Sequence, residues 1–172
     1  MKFKALLFLG ALSTPVFADT KTKLSDDETH TLQHVHHVNQ MEIDLAKLAS
    51  KNGTSAISKY TAEIIKDHSQ ADADVTALGK TKNVKVTTET DDDKQADKDM
   101  KSDMDHLKSL KGKDFDKEYL QMMYDGHTKE VAKIDAAISS GSDTDVKSLL
   151  QKIKPVVQQH ADDAKDLNKP NS

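Results

Sequence analysis

The stretch Tyr119 to Ile138, YLQMMYDGHTKEVAKIDAAI, narrows the choice of fold more than any other part of the chain. Leu120, Met123, Val131, Ile134 and Ile138 recur at three- and four-residue intervals. At about 100° per residue they line up as one apolar stripe, so this stretch predicts a helix with one face turned to a core. His127 falls in the centre of that stripe and Glu130 lies one turn further on, near its edge. Burying polar groups without partners is costly, so both must meet groups brought by other helices.

Three more long segments have the same period. The first is predicted to start at Ser25, where Ser25-Asp26-Asp27-Glu28 matches a capping box, and to run to about Lys51, with Asn52-Gly53 as its stop. Its stripe is Val35, Val38, Leu45 and Ala49, and Glu42 lies in the middle. The second, capped by Thr54 or Ser55, runs to about Lys80 on Ile57, Ile64, Ala71, Val75 and Leu78. His68 is central on that face and Asp67 sits on its flank. The third, from about Asp114, contains Tyr119–Ile138. The fourth is capped by Asp143 or Thr144 and carries Val146, Leu149, Leu150, Ile153, Val157, Ala164 and Leu167, with His160 among them. Pro155 is predicted to kink it about one turn before His160.

Residues 81–113 read as a crossover. Thr81 to Thr90 is polar and β-prone, and Asp91-Asp92-Asp93 favours the positive end of a short helix. Ala96, Met100, Met104, Leu107 and Leu110 give that helix a modest stripe, His106 is expected to be exposed, and Gly112 to end it. Asp91 to Asp93 otherwise read as a solvated turn, since no calcium-loop spacing follows them. Two short turns and one long connection make the fold class all-α: a ferritin-like antiparallel four-helix bundle with a crossover carrying a short extra helix.

Residues 1–18 stand apart. Met1-Lys2-Phe3-Lys4 is a short basic start, Ala5 to Leu12 an apolar run, and Val16-Phe17-Ala18 a small-residue processing site. This reads as a secretory signal peptide cleaved after Ala18. It leaves a single domain over 19–172 and a periplasmic or secreted protein with no transmembrane segment in the mature chain. The 172 residues include no cysteine, which excludes disulfides, thiolate ligands and an acylated lipoprotein. The formal charge is −4, and loss of Lys2 and Lys4 with the leader takes it to −6. Arginine is absent, lysines alternate with acids, and aromatic residues make up 4% of the chain, so nucleic acid is excluded as a partner. There is no G-x-S-x-G, phosphate-binding glycine loop or H-E-x-x-H, which leaves hydrolase and kinase readings without support.

Glu42, His68, His127 and His160 each lie near the midpoint of a helix of about 25 residues. In an antiparallel bundle of similar helices the midpoints share one layer, so the four are expected to converge. Imidazoles and carboxylates in one layer suit a divalent transition metal such as Zn, Fe, Cu or Mn. Glu130 is a candidate fifth ligand, and Asp67 and Asp163 are candidates to orient imidazoles from behind. The alternative is a non-enzymatic structural or stress-related bundle, in which the same layer is only a hydrogen-bond network fixing register. A haem bundle would need Met123 as an axial ligand and is weaker. A second face, His30, His34, His37 and Met41, has spacings of four, three and four on the first helix. It is a possible surface metal site, although an ordinary solvated histidine face suits it better.

Several pieces together resemble a known family. Gln40 to Ala49 fits an E-x-x-L-(G/A)-x-x-A pattern, Lys66-Asp67-His68 carries a D-H pair, and Phe115-Asp116-Lys117-Glu118-Tyr119 fits F-D-x-x-Y, followed by His127. Pro155 with His160 is similar to an L-P-x-x-x-x-H ending. The combination resembles the ferritin-like domain of unknown function 4142 family of exported proteins. The resemblance implies a ferritin-like bundle outside the cytoplasm and supplies no activity. Di-iron ferritins use Glu-x-x-His on two helices. Here the order is His127-x-x-Glu130 and Ile65 stands three before His68, which argues against ferroxidase chemistry and iron storage.

Overall fold

The computed structural model describes residues 23–169, without the side chains of residues 96, 99 and 100. The predicted leader at 1–18 lies outside the described residues, as do the side chains of the stripe positions Ala96 and Met100. The helices are α1 (Asp26–Asn52), α2 (Ser58–Lys82), α3 (Asp91–Ser109), α4 (Gly112–Ser140) and α5 (Thr144–Leu167), with a 3-10 turn at Ser55–Ile57 before α2. No strand occurs among the described residues. The β-prone run at 81–90 is instead a turn that starts at Asn83. Its left-handed φ of 57° lets the Asn83 and Val84 amides bond back to Lys80 and Gly79 and close α2.

The helix ends show how neighbours run. Glu28, at the start of α1, accepts from the Ser142 and Asp143 amides between α4 and α5 at 2.8 and 2.7 Å. Its other oxygen completes the Ser25 capping box. Asp116, at the start of α4, accepts from the Thr54 amide at the end of α1. Lys82, ending α2, pairs with Asp143 at the start of α5 at 2.7 Å. Hence α1 is antiparallel to α2 and α4, and α5 is antiparallel to the same two helices.

The crossover differs from expectation in three ways. Its helix α3 is 19 residues long rather than short. Gly112 does not end it: Leu110 does, and Gly112, with φ of 61°, opens α4. Asp93 is not solvated but 1% exposed, forming a capping box with Thr90. α5 stays helical through Pro155, which has no N–H to offer the Gln151 carbonyl.

Two apolar clusters fill the bundle. One, at the Thr54–Asp116 end, is built on Leu45, Ile64, Phe115, Tyr119 and Met123. The other, at the Glu28–Lys82 end, is built on Leu32, Val35, Val75, Ile134 and Leu150. Between them each long helix places a buried polar residue: Asn39 and Glu42 on α1, His68 on α2, His127 on α4 and His160 on α5. Apolar burial drives the two ends together, and the polar layer is held between them.

Candidate metal centre

Three imidazoles meet in that layer. His68, His127 and His160 are 4%, 2% and 3% exposed, and one ligand nitrogen from each lies within 4.8 Å of the other two. Their ring centroids are 5.3 to 5.5 Å apart. Tyr60 of α2 donates its hydroxyl to the His160 carbonyl at 3.1 Å, tying α2 to α5 at this level.

Each ring is oriented from behind. His127 Nδ1 faces the Met123 carbonyl at 2.8 Å; a carbonyl only accepts, so Nδ1 carries the proton and neutral His127 has a lone pair at Nε2. His68 Nδ1 faces Asn39 Oδ1 at 2.9 Å, which leaves its Nε2 lone pair turned to His127 Nε2 across 3.3 Å. His160 Nε2 contacts Asp67 at 3.2 Å, and its buried Nδ1 has no partner. Burial, together with the His127 and His160 charges, pushes His68 down to about 2. Burial and His127 also lower His160, against the pull of Asp67 and Asp163. Two lone pairs at 3.3 Å repel unless a cation lies between them. Two nitrogens about 2.05 Å from a tetrahedral ion are themselves about 3.3 Å apart.

The carboxylates are placed differently from the sequence expectation. Glu42 is buried beside this group but outside the set of atoms that share the 4.8 Å radius, and its Oε2 has no partner. Burial pushes its carboxyl up, opposed by His127 and reinforced by Glu130. At the level of the imidazoles α1 presents Asn39, one turn earlier. Glu130 does not join the imidazoles. It turns to His34 Nε2 at 3.2 Å, because its position at the edge of the stripe directs it across the α1–α4 seam. Asp163 takes the Gln159 amide at 2.8 Å and orients no imidazole, since it shares the solvent-side face of α5 with Gln159.

The histidine face of α1 is divided up as well. α3 lies across it, and its aspartates take the rings one by one: His34 Nδ1 meets Asp93 at 2.6 Å and His37 Nε2 meets Asp97 at 3.0 Å. His34 spends both nitrogens, on Asp93 and Glu130, and the Glu130 bond above all raises its pKa. Burial pushes Asp93 up, but bonds from His34 and Thr90 outweigh it and hold the carboxyl low. Among the described residues, His30, His34 and His37 form no group with ligand atoms within 4.8 Å of one another, and Met41 lines a cleft. His37 instead stands with Glu89 and Asp97, ligand atoms within 4.8 Å, in a half-open group.

The chain matches the domain of unknown function DUF4142 over residues 14–167. It belongs to that family. A crystal structure of a DUF305 fragment from Deinococcus radiodurans is similar with a TM-score of 0.75 and 13% identity, covering 84% of this chain and 97% of that one. At that identity the likeness speaks for the bundle fold alone. Comparison with curated proteins finds no match.

Asn39 is the member of the layer that the sequence reading missed. Its signal was present: Val35, Asn39 and Glu42 follow a four–three spacing on the buried face of α1, where a lone amide needs a polar neighbour.

Proposed function

We propose that this protein is an exported bundle that binds one divalent first-row ion between its helices. The ligands are His68 Nε2, His127 Nε2 and His160 Nδ1. The observation that carries the reading is the pair of inward lone pairs at 3.3 Å beside a third, partnerless ring nitrogen. Each ring is also fixed by an acceptor on its far side, the arrangement that sets tautomer and aim in histidine metal sites. Three nitrogens leave a fourth position open to solvent or to Glu42 after a change of rotamer. Neutral imidazoles suit zinc, copper or iron. Holding and buffering the ion needs nothing more, whereas redox chemistry needs copper or iron in particular. Export rests on the leader at 1–18.

A second reading is favoured by the continuous chain Asn39–His68–His127–Met123. If the Asn39 amide is turned, its Nδ2 donates to His68 and His68 donates to His127, joining the rings without an ion. That network still leaves His160 Nδ1 and Glu42 Oε2 buried without partners.

Elemental analysis of untagged protein, stripped and reloaded with Zn²⁺ or Cu²⁺, separates the two. The metal reading predicts one equivalent in the wild type and in His34→Ala/His37→Ala, and none in His68→Ala/His127→Ala. Far less than one equivalent in the wild type, or equal metal in the wild type and the core variant, leaves the hydrogen-bond network as the function of the layer.

A further inference from the structure

An ion bound in the polar layer has to reach it, and two openings formed by the described residues lead there. The smaller, about 110 Å³, lies between α2 and α5 and touches His68 and His160. Two carboxyl groups and one lysine line it, and both carboxyls are engaged: Asp74 pairs with Lys152 at 2.6 Å and Asp67 meets His160 at 3.2 Å. The larger, about 650 Å³, lies between α1, α3 and α4. His68, His127, Asn39 and Glu42 form its buried end.

The outer end of the larger cleft is acidic. Asp103 and His106 of α3 and Glu118 and Asp125 of α4 line it and are exposed. Asp103 and Glu118 have no ion-pair partner among the described residues, and Asp125 is met only by the Gln121 amide at 3.0 Å. The whole lining has six carboxyl groups against two lysines, and one of these, Lys133, is drawn to Glu130 at 3.8 Å. Between mouth and floor stand apolar walls that include Leu107, 1% exposed. Low-dielectric walls around one sign of charge concentrate the field along the cleft. At its inner end the buried Glu42 carboxyl has an oxygen without a partner.

We infer that this cleft is the inlet for the cation: Asp103, His106, Glu118 and Asp125 gather it at the mouth, and Glu42 hands it to the three imidazoles. The inference rests on the metal reading above. It also gives the crossover helix a role beyond connection, since α3 supplies one wall of the inlet and half of its mouth. The ligand class is a small hydrated divalent cation; the carboxylates repel anions.

The test is stopped-flow uptake of Zn²⁺ by the full mature chain, followed by competition with a chromogenic chelator at low and moderate ionic strength. Asp103→Asn/Glu118→Gln/Asp125→Asn removes three charges from exposed positions. The inference predicts an association rate lower by about tenfold at low salt and a flatter salt dependence. The dissociation rate and the stoichiometry of one should be unchanged. Asp74→Asn/Lys152→Gln, at the other opening, should leave the association rate as in the wild type. An unchanged rate and salt dependence in the triple variant, or slowing by the Asp74/Lys152 variant instead, overturns the inlet while the metal site stands. A wild type that takes up no Zn²⁺ overturns both.

Discussion

Replacing Glu42 by methionine should stabilise the ion-free protein. The side chain is 7% exposed, its Oε2 has no partner, and burial holds its carboxyl proton above the usual carboxylate range. Methionine keeps the length and unbranched shape while removing the polar end. A buried polar group without a partner costs about 1–3 kcal/mol, so Glu42→Met should gain about that much. For a domain of this size the gain is a rise of roughly 3–9 °C in Tm. The sign of the pH dependence follows from the raised pKa. Below the unfolded value of 4.5 both states hold the proton and titration contributes nothing. As pH rises above it, the unfolded chain releases its proton while the folded one keeps it, so the wild type loses up to about 1.4 kcal/mol per pH unit until the folded carboxyl ionises. The gap between variant and wild type should therefore be smallest near pH 4 and widen as pH rises. Denaturant melts in the presence of chelator measure it. A destabilised variant, or a gap that stays flat from pH 4 to 7, would refute the view of Glu42 as an uncompensated carboxyl.

Two further outcomes follow from other groups. Glu28→Ala should cost about 3 kcal/mol, read by thermal melts, because three amides and two hydroxyls lose a charged acceptor. Those bonds hold Glu28 down at about 2, so its contribution is complete above pH 4.5 and disappears as pH falls from there to about 2. His68, pushed down to about 2, should keep the ring ¹⁵N shifts of a neutral imidazole at pH 5, where an ordinary exposed histidine is charged; an imidazolium signature there contradicts its placement.

The bundle was legible because its signals are local. The Ser25 capping box, the Asn52-Gly53 stop and the Asp143 cap are short-range chemistry, and the apolar stripes repeat over many turns. The convergence of His68, His127 and His160 was legible for the same reason, since helices of nearly equal length in antiparallel contact bring midpoints together. Glu42 and Glu130 lay beyond that logic. Whether a carboxylate turns inward depends on an offset of one turn or a change of χ angle, and helix counting does not resolve either. The α1 histidines were misleading for a different reason. α3 is polar on nearly every side, so nothing in its pattern says that Asp93 and Asp97 would settle on His34 and His37. The long reach of Glu28 to Ser142 and Asp143 is likewise tertiary, although its capping half was plain.

Three inward nitrogens should hold one ion, and ring ¹⁵N NMR during a Zn²⁺ titration reads this at each histidine. His68, His127 and His160 alone should change among the eight histidines, and the change should saturate at one equivalent. The coordinated nitrogen should be Nε2 for His68 and His127 and Nδ1 for His160. Changes confined to His30, His34, His36 or His37, or core rings that stay unmoved in excess Zn²⁺, would contradict it.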